Sequence, residues 1–352
     1  MLALDPHAEF ILEEYRENLP VFREARQKLT DKITEVLREA GILVASIESR
    51  VKTESSLAGK LALKGAKYKS LADITDIVGM RVITFYLDDV DKVASALERH
   101  FDVDWDNSVD KRKLHQVDSF GYLSLHYVCR VPYMDYRVEV QMRTLLQHAW
   151  ANMNHDTGYK SGVEIPREYI RNMNRLAGML ELADEQFSRI RNELTDYRRR
   201  MRALVASGNL DDAPLDGDTY RSYLELNPFG PLNQRIAALN QAEIQEVSLM
   251  PYLAVFKELL GCKTLGDIDR LLKEYAEAAY QIACYQISLT DLDIIASSIA
   301  PQDVCIAYIL KTGGGKPGLR RLFDELYGPS DSNDMLAESL LEEARDLPFM
   351  NR

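Results

Sequence analysis

The segment Tyr136–Arg143 places chemically useful side chains on one face of a predicted strand. Its sequence, Y-R-V-E-V-Q-M-R, alternates apolar and polar residues with the two-residue period of a strand. The polar face then carries one carboxylate, one amide and two guanidinium groups, from Arg137, Glu139, Gln141 and Arg143. Such a set suits a metal ion together with phosphate groups, although a salt-bridged surface strand gives the same pattern.

A basic segment precedes that strand and runs from Arg50 to Lys69. It contains six lysine and arginine residues and a single acidic residue, Glu54. This excess of positive charge is typical of a surface that binds phosphate groups. The segment therefore favours a phosphate-binding site over a plain salt-bridged surface.

A second acidic group is expected close to Glu139. The sequence 73–86 reads D-I-T-D-I-V-G-M-R-V-I-T-F-Y and ends in a β-rich stretch, so Asp76 and Arg81 should lie at the start of a strand. A carboxylate at that place could meet Glu139 from a neighbouring strand. Two such groups close together can hold Mg²⁺ while its other positions stay open to water and phosphate.

Five sequence blocks between residues 50 and 160 resemble, in the same order, those of the RelA/SpoT nucleotide pyrophosphokinases. The family segment R-x-K-x-x-x-S-x-x-x-K corresponds to Arg50, Lys52, Ser56 and Lys60. The motif D-I-x-G-x-R-V corresponds to residues 76–82, G-Y-x-S-x-H to 121–126, E-x-Q-x-R-T to 139–144, and W-A-x-x-x-H-x-x-x-Y-K to 150–160. Five ordered blocks are far more specific than any one of them.

The resemblance implies an ATP site. It places Arg50 and Arg81 on either face of the donor adenine, and it places Lys52, Ser56 and Lys60 on the ATP phosphates. Side-chain chemistry agrees with these roles, because guanidinium planes stack on aromatic rings and lysines act as point charges for phosphate.

The family's reaction transfers the β,γ-pyrophosphate of ATP to a ribose 3′-hydroxyl and releases AMP. The resemblance implies that Asp76 and Glu139 bind the Mg²⁺ cofactor and are the catalytic residues. Glu139 is the better candidate for the base that takes the hydroxyl proton, because its strand face also carries Gln141 and leads to the acceptor.

Four residues are predicted to contact the acceptor nucleotide. The resemblance implies that Tyr122 stacks on the acceptor base. An exposed tyrosine after a glycine suits base stacking better than core packing. Gln141 and Lys113 are assigned to the same side of the site. His148 falls where family members often carry a residue that contacts the acceptor base, whereas a surface histidine on a helix is the simpler alternative.

The residues that precede Gly121 leave the identity of the acceptor open. Many small alarmone synthetases carry a loop with lysine and asparagine there, but this chain has V-D-S-F at 117–120. The resulting D-x-F-G-Y resembles toxic and defence-associated members, some of which modify the 3′ end of tRNA. The acceptor is therefore GDP or GTP, giving (p)ppGpp, or an adenosine nucleotide, or tRNA. A non-catalytic nucleotide-binding regulator is a further alternative, against which the intact Asp76 and Glu139 argue.

The hydrophobic pattern predicts an α+β fold with a nucleotidyltransferase-like mixed sheet flanked by helices. One or two helices are expected over 7–40, with a break near Pro20, and further helices near 56–64, 89–100, 144–155 and 166–206. Strands are expected near 43–48, 81–87, 125–131 and 136–143. The C-terminal part is expected to be mainly helical, with breaks at Gly261, Gly266 and 313–315.

The predicted organisation is a synthetase domain at 1–206, a linker at 207–231 that is rich in proline and glycine, and an acidic domain at 232–352. Residues 1–200 carry 30 basic and 32 acidic residues, whereas residues 201–352 carry 13 and 23. Most of the net charge of −12 therefore belongs to the C-terminal part. An acidic helical domain without a recognisable catalytic set is expected to be regulatory, for example by covering the basic groove.

The remaining features predict a soluble cytoplasmic protein. The four cysteines form no C-x-x-C pair, which indicates free thiols in a reducing compartment. The sequence shows neither a signal-peptide pattern nor an apolar stretch long enough to cross a membrane. Assembly into a homo-oligomer is left open.

Overall fold

The computed structural model describes residues 5–64, 67–113, 124–158, 167–288 and 292–350, with the backbone alone described at residues 113 and 156–158. It forms two compact units, Met1–Asn192 and Glu193–Arg352. The division falls within the longest helix, ahead of the predicted domain boundary at residue 206.

The N-terminal unit contains five helices or parts of helices and six strands among the described residues. The helices are α1 (Pro6–Glu39), α2 (Glu54–Lys64), α3 (Leu87–His100), α4 (Leu145–Gly158) and the first part of α5 (Arg167–Ala206). The strands are β1 (Val44–Val51), β2 (Val78–Thr84), β3 (Asp102–Val103), β4 (Val109–Asp110), β5 (Leu125–Val131) and β6 (Met134–Thr144).

The six strands form one mixed sheet in the order β1-β2-β6-β5-β3, with β4 paired to β5. The β2–β6 pair is parallel, whereas β1–β2 and β5–β6 are antiparallel. The alternation predicted for β6 is present, since Val138, Val140 and Met142 are buried in the core. The α+β mixed sheet predicted from the sequence is therefore confirmed. β2 begins at Val78, three residues before the predicted start near residue 81. Gly79, which occurs more often in turns, lies inside the strand.

Helix α1 is continuous, so the break predicted near Pro20 is absent. Asp5 caps the helix by accepting a hydrogen bond from the backbone of Ala8 at 2.7 Å. Phe22 and Leu29, which follow Pro20, are fully buried in the same core as Ile11. We attribute the continuity to this packing, which offsets the hydrogen bond that a proline removes from a helix. Gly41, with φ +65°, ends the segment as the sequence predicts.

The C-terminal unit is mainly helical, as predicted. After the end of α5 it contains α6 (Gly217–Leu224), α7 (Gly230–Ala237), α8 (Tyr252–Ala254), α9 (Leu265–Ser288), α10 (Ile299–Lys311), α11 (Gly315–Tyr327) and α12 (Asp331–Ala344). Two short strands, β7 (Glu243–Gln245) and β8 (Ile294–Ala296), pair in parallel. Gly261 and Gly313 have positive φ, of 72° and 80°, whereas Gly266 lies in the first turn of α9 and not at a break.

The segment 207–231, which the sequence predicts to be a linker, is folded. It contributes Ala213, Leu215, Tyr220, Tyr223 and Phe229 to the core of the C-terminal unit. Its turn-forming residues cap helices and form turns, and a linker can have the same amino-acid composition. Asp216, for example, caps α6 by accepting hydrogen bonds from the backbones of residues 218 and 219, both at 2.9 Å.

Two other sequence expectations concern the whole chain. Cys129, Cys262, Cys284 and Cys305 are free, and all but Cys284 are buried. None of the described helices combines the length and the apolar character needed to cross a bilayer.

Candidate active site

Three adjacent strands bring the predicted site residues into register. Arg50 of β1 lies opposite Gly79 of β2, which in turn lies opposite Glu139 of β6. Two residues further along β2, Arg81 lies between Glu48 and Gln141. Since alternate residues of a strand share a face, these side chains surround one cavity, which Asp76 also lines. Asp76 and Glu139, which the sequence predicts to meet, thus line one cavity, and Arg81 lines it as well.

Asp76 is held by two lysines. Its Oδ2 accepts from Lys52 Nζ and its Oδ1 accepts from Lys60 Nζ, both at 2.8 Å. Burial by itself would raise the pKa of Asp76, but the two ammonium groups outweigh this effect and hold the pKa below its ordinary value. The carboxylate is therefore charged at neutral pH even though it is partly removed from water.

Glu139 is oriented through both carboxylate oxygens. His126 Nδ1 lies 3.0 Å from Oε1, and Gln141 Nε2 donates to Oε2 at 2.9 Å. The other ring nitrogen of His126 lies 2.6 Å from the hydroxyl of Ser124. Burial raises the pKa of Glu139, but its hydrogen bonds to His126 and Gln141 reverse the shift, so the pKa is lowered although the charge of Asp76 opposes this.

The predicted phosphate-binding residues line one neighbouring cavity of about 640 Å³. They are Lys52, Ser56 and Lys60, and the cavity is also lined by Lys64 and by Arg50, which is predicted to contact the adenine. Ser56 and Lys60 are one helical turn apart on α2, so they project from the same face. We call this the lysine-rich cavity, and we call the cavity lined by Asp76 and Glu139 the carboxylate cavity. Arg50 lines both of them.

Another cavity, of about 610 Å³, shares Arg81 and Gln141 with the cavity around Asp76 and Glu139 and is also lined by His126 and Arg143. His148 contacts this wall, since its Nδ1 lies 3.0 Å from an Arg143 nitrogen. Its Nε2 lies 2.7 Å from the amide of Asn152. Burial and the Arg143 charge lower the pKa of His148. The acceptor role predicted for His148 stays a prediction.

Two predicted acceptor residues cannot be placed in this geometry. Tyr122 lies outside the described residues, as does the side chain of Lys113, whose backbone ends the 3₁₀ turn Lys111–Lys113. Their assignments stay predictions.

Sequence reasoning missed two functional arrangements. Ser124 and His126 belong to the G-Y-x-S-x-H motif, but the motif alone gives neither residue a role, although the two-residue spacing and the strand pattern could have placed both beside Glu139. Sequence reasoning also assigned Lys52 and Lys60 to phosphate alone. Their pairing with Asp76 joins residues 24 and 16 positions apart, so no local pattern predicts it.

Residues 49–164 match the family described as the region found in RelA / SpoT proteins. The chain is 26% identical over 198 residues to the GTP pyrophosphokinase YwaC of Bacillus subtilis, which covers 52% of this chain and 93% of YwaC. It is 28% identical over 157 residues to the GTP pyrophosphokinase YjbM of the same organism, covering 43% of this chain and 73% of YjbM. The crystal structure of small alarmone synthetase 1 from Bacillus subtilis aligns over 52% of this chain and 98% of that chain, with 26% identity and a TM-score of 0.45. This chain contains a RelA/SpoT-type pyrophosphokinase domain.

Proposed function

We propose that the protein transfers the β,γ-pyrophosphate of ATP to the ribose 3′-hydroxyl of GDP or GTP, which produces (p)ppGpp and AMP. One observation carries the proposal: the carboxylates of Asp76 and Glu139 line a cavity that shares Arg50 with a lysine-rich cavity. A pair of acidic groups beside a set of cations suits a reaction between two phosphorylated substrates. The names of the two Bacillus relatives support a guanosine nucleotide as acceptor.

The donor side is argued from the cations. Lys52 and Lys60 face the lysine-rich cavity and can bind ATP phosphates as point charges. Each ammonium group has three N–H donors and gives one of them to Asp76, so it can bind a phosphate oxygen while it keeps that bond. The guanidinium groups of Arg50 and Arg81, both on the carboxylate cavity, are suited to stack on the adenine ring.

Asp76 and Glu139 would hold a Mg²⁺ ion. Within the described ranges no cluster of three or more acidic, histidine or cysteine residues forms a complete metal cage, but Mg²⁺ in phosphate-transfer sites is held by one or two carboxylates with water and phosphate in its other positions. The two carboxylates on one cavity fit that donor set. The ion, when bound, supplies neutralisation of the phosphate charge.

Glu139 is proposed to take the proton of the attacking 3′-hydroxyl. The 3′-oxygen forms a bond to the β-phosphorus, the bond from the β-phosphorus to the α,β-bridging oxygen breaks, and AMP leaves with that oxygen. Because its pKa is lowered, Glu139 is deprotonated at neutral pH and ready to accept the proton. His126 and Gln141 orient the carboxylate, and this fixed orientation contributes to the rate by positioning.

The test is a transfer assay with ATP labelled on its γ-phosphate. The purified chain is incubated separately with GDP, GTP, AMP and tRNA, and the products are separated by size and charge. We expect label in a guanosine nucleotide and the release of AMP. Label in tRNA would support the alternative acceptor while retaining the chemistry, and the absence of transfer to every acceptor would contradict the proposal.

A further inference from the structure

One residue joins the central strand of the site to the helix that follows it. Thr144 is the last residue of β6 and precedes α4. Its hydroxyl accepts a hydrogen bond from the backbone N–H of Gln147 at 3.1 Å, and its own backbone N–H donates to the side-chain oxygen of Gln147 at 3.0 Å. This reciprocal pair is a capping box, which satisfies two donors of the first helical turn and fixes the residue at which α4 begins.

The two elements that meet at Thr144 line the same cavity. Arg143 of β6 and Trp150, Asn152 and His155 of α4 all line the cavity of about 610 Å³, which we name the Arg143 cavity. Arg143 and Thr144 are consecutive in the strand, so their side chains point to opposite faces of the sheet. Thr144 can therefore be held from behind the Arg143 cavity by a residue that does not line it.

Helix α5 supplies that residue. The Thr144 hydroxyl donates to Asp184 Oδ2 at 2.5 Å, and Asp184 is 3% exposed. One helical turn further along α5, Ser188 Oγ accepts a hydrogen bond at 3.1 Å from the backbone N–H of Leu87, the first residue of α3. α3 follows β2, and the last residues of the parallel strands β2 and β6, Thr84 and Thr144, lie opposite each other. α5 therefore bonds at the same end of both strands that carry the candidate site.

The carboxyl group of Asp184 does not favour the folded state at neutral pH. Burial raises the pKa of Asp184 to about 6, although the hydrogen bond from Thr144 acts in the opposite direction. Because the pKa is raised on folding, the contribution of the group to stability is lost as the pH rises from the ordinary value of 3.8 through this range. A buried carboxylate is therefore less favourable here than an apolar residue, but it is a strong and directional acceptor for the Thr144 hydroxyl.

We propose that Asp184 is a positioning residue for the acceptor nucleotide: by holding Thr144, it fixes the start of α4 and thereby the shape of the Arg143 cavity. The inference rests on the proposed function, in which ATP occupies the lysine-rich cavity. The Arg143 cavity, which Gln141 also lines, is then left for the acceptor. Asp184 lies beyond residues 49–164, which match the family, so the family motifs do not include it.

The kinetic test compares two alanine substitutions on α5 in the full chain. Asp184→Ala removes the acceptor of the Thr144 hydroxyl, whereas Glu181→Ala removes a carboxylate that lines the same neighbouring cavity as Asp184 but lies one helical turn earlier. We expect the KM for GDP to rise about tenfold in Asp184→Ala, because a hydrogen bond to a charged group is lost and α4 is displaced. The KM for ATP should stay unchanged, since Lys52 and Lys60 lie on and next to α2.

Two further variants separate positioning from a general loss of structure. Glu181→Ala should leave the KM values for GDP and ATP unchanged. Asp184→Asn retains an acceptor oxygen in the same shape and should keep the natural KM for GDP. An equal rise of the KM for GDP and for ATP in Asp184→Ala would overturn the inference, and so would a rise of the same size in Glu181→Ala.

The position of α4 can be measured without the reaction, through the fluorescence of Trp150. The chain has two tryptophans, and Trp105→Phe leaves Trp150, which is 9% exposed, as the only one. In this background we expect Asp184→Ala to shift the Trp150 emission to longer wavelength and to increase its quenching by acrylamide. Glu181→Ala and Asp184→Asn should change neither property. Far-ultraviolet circular dichroism verifies that the helix content is retained.

Unchanged Trp150 emission in a folded Asp184→Ala protein would overturn the inference. If that variant does not fold, Thr144→Ser and Thr144→Val decide, because serine retains the hydroxyl and valine replaces it with a methyl group of similar size. Serine should keep the natural emission and valine should shift it, and equal emission from the two would overturn the inference. A natural chain that transfers pyrophosphate to no acceptor would contradict the proposed function, whereas the Trp150 measurement would still test how Asp184 holds α4.

Discussion

Two acidic residues, one in each unit, show that burial has opposite consequences when the partners differ. Asp76 of the N-terminal unit is paired with two lysines, and its pKa is lowered. Asp303 of the C-terminal unit is fully buried, and neither of its carboxylate oxygens has a hydrogen-bond partner among the described residues. Burial raises the pKa of Asp303 well above its ordinary value.

Under the proposed function, Asp76 takes part in the reaction, whereas Asp303 has no role in it. The partners of Asp76 and Glu139 stabilise the charged form of each carboxylate, and under the proposed function both carboxylates also bind the cation. Asp303 lies among the buried residues of α10, including Val304, Cys305 and Ile306, and burial favours its neutral form by raising its pKa.

Glu139→Gln tests the contrast between the two units most directly. We expect pyrophosphate transfer to fall by about a thousandfold or more, because the amide keeps the shape but removes the charge that takes the proton and holds the metal. The measurement is the turnover number with saturating substrates, with circular dichroism to verify the fold. The matched control is Asp303→Asn, which makes the corresponding change in the other unit and should leave turnover unchanged. Wild-type turnover in the Glu139→Gln protein would contradict the catalytic assignment.

The next effect is expected for Asp76→Asn. Turnover should fall by roughly a hundredfold, because a metal held by one carboxylate is poorly positioned and small displacements are costly in rate. The variant also releases Lys52 and Lys60 from their ion pairs. We therefore expect the apparent affinity for ATP to fall less than turnover does. The comparison of kcat with the KM for ATP checks this, and a change confined to KM would assign Asp76 to the lysines alone.

Smaller effects should separate the two substrates. Tyr122→Ala is expected to weaken acceptor binding by about ten- to a hundredfold, because base stacking on an aromatic side chain contributes roughly 1–3 kcal/mol. Arg81→Ala should instead raise mainly the KM for ATP, because its guanidinium lies on the cavity next to Arg50. The KM values for both substrates, measured in both variants, check the pair. Equal effects on donor and acceptor in Tyr122→Ala would identify Tyr122 as a packing residue.

Much of the site could be predicted from the sequence because its chemistry is encoded in strand periodicity and short motifs. The two-residue alternation of β6 puts Glu139 and Gln141 on one face, and the motif order puts Asp76 beside the neighbouring strand. The pairing of Lys52 with Asp76 depends on tertiary contact and has no local signal.

The C-terminal half was less predictable. Proline, glycine and aspartate occur in linkers and in helix caps alike, so residues 207–231 gave the wrong prediction although Tyr220 and Phe229 in the same segment are core residues. The regulatory role of the acidic C-terminal part stays a prediction.

A further prediction concerns stability and uses Asp303→Asn. The folded-state pKa of Asp303 is raised, so its contribution to stability is fully present below the ordinary pKa of 3.8 and is lost as pH rises toward the folded value. In that window the unfolded chain loses a proton that the folded chain keeps, and stability falls by about 1.4 kcal/mol for each pH unit through this one group. Asp303→Asn removes the ionisation and should flatten the pH dependence, so that the variant gains stability relative to the natural chain as the pH rises above 3.8, which a comparison of pH 5 with pH 7 measures. Urea unfolding followed by far-ultraviolet circular dichroism at these two pH values measures the difference. Parallel pH profiles for the two proteins would show that Asp303 is ionised in the folded state, and the contrast with Asp76 would then not hold.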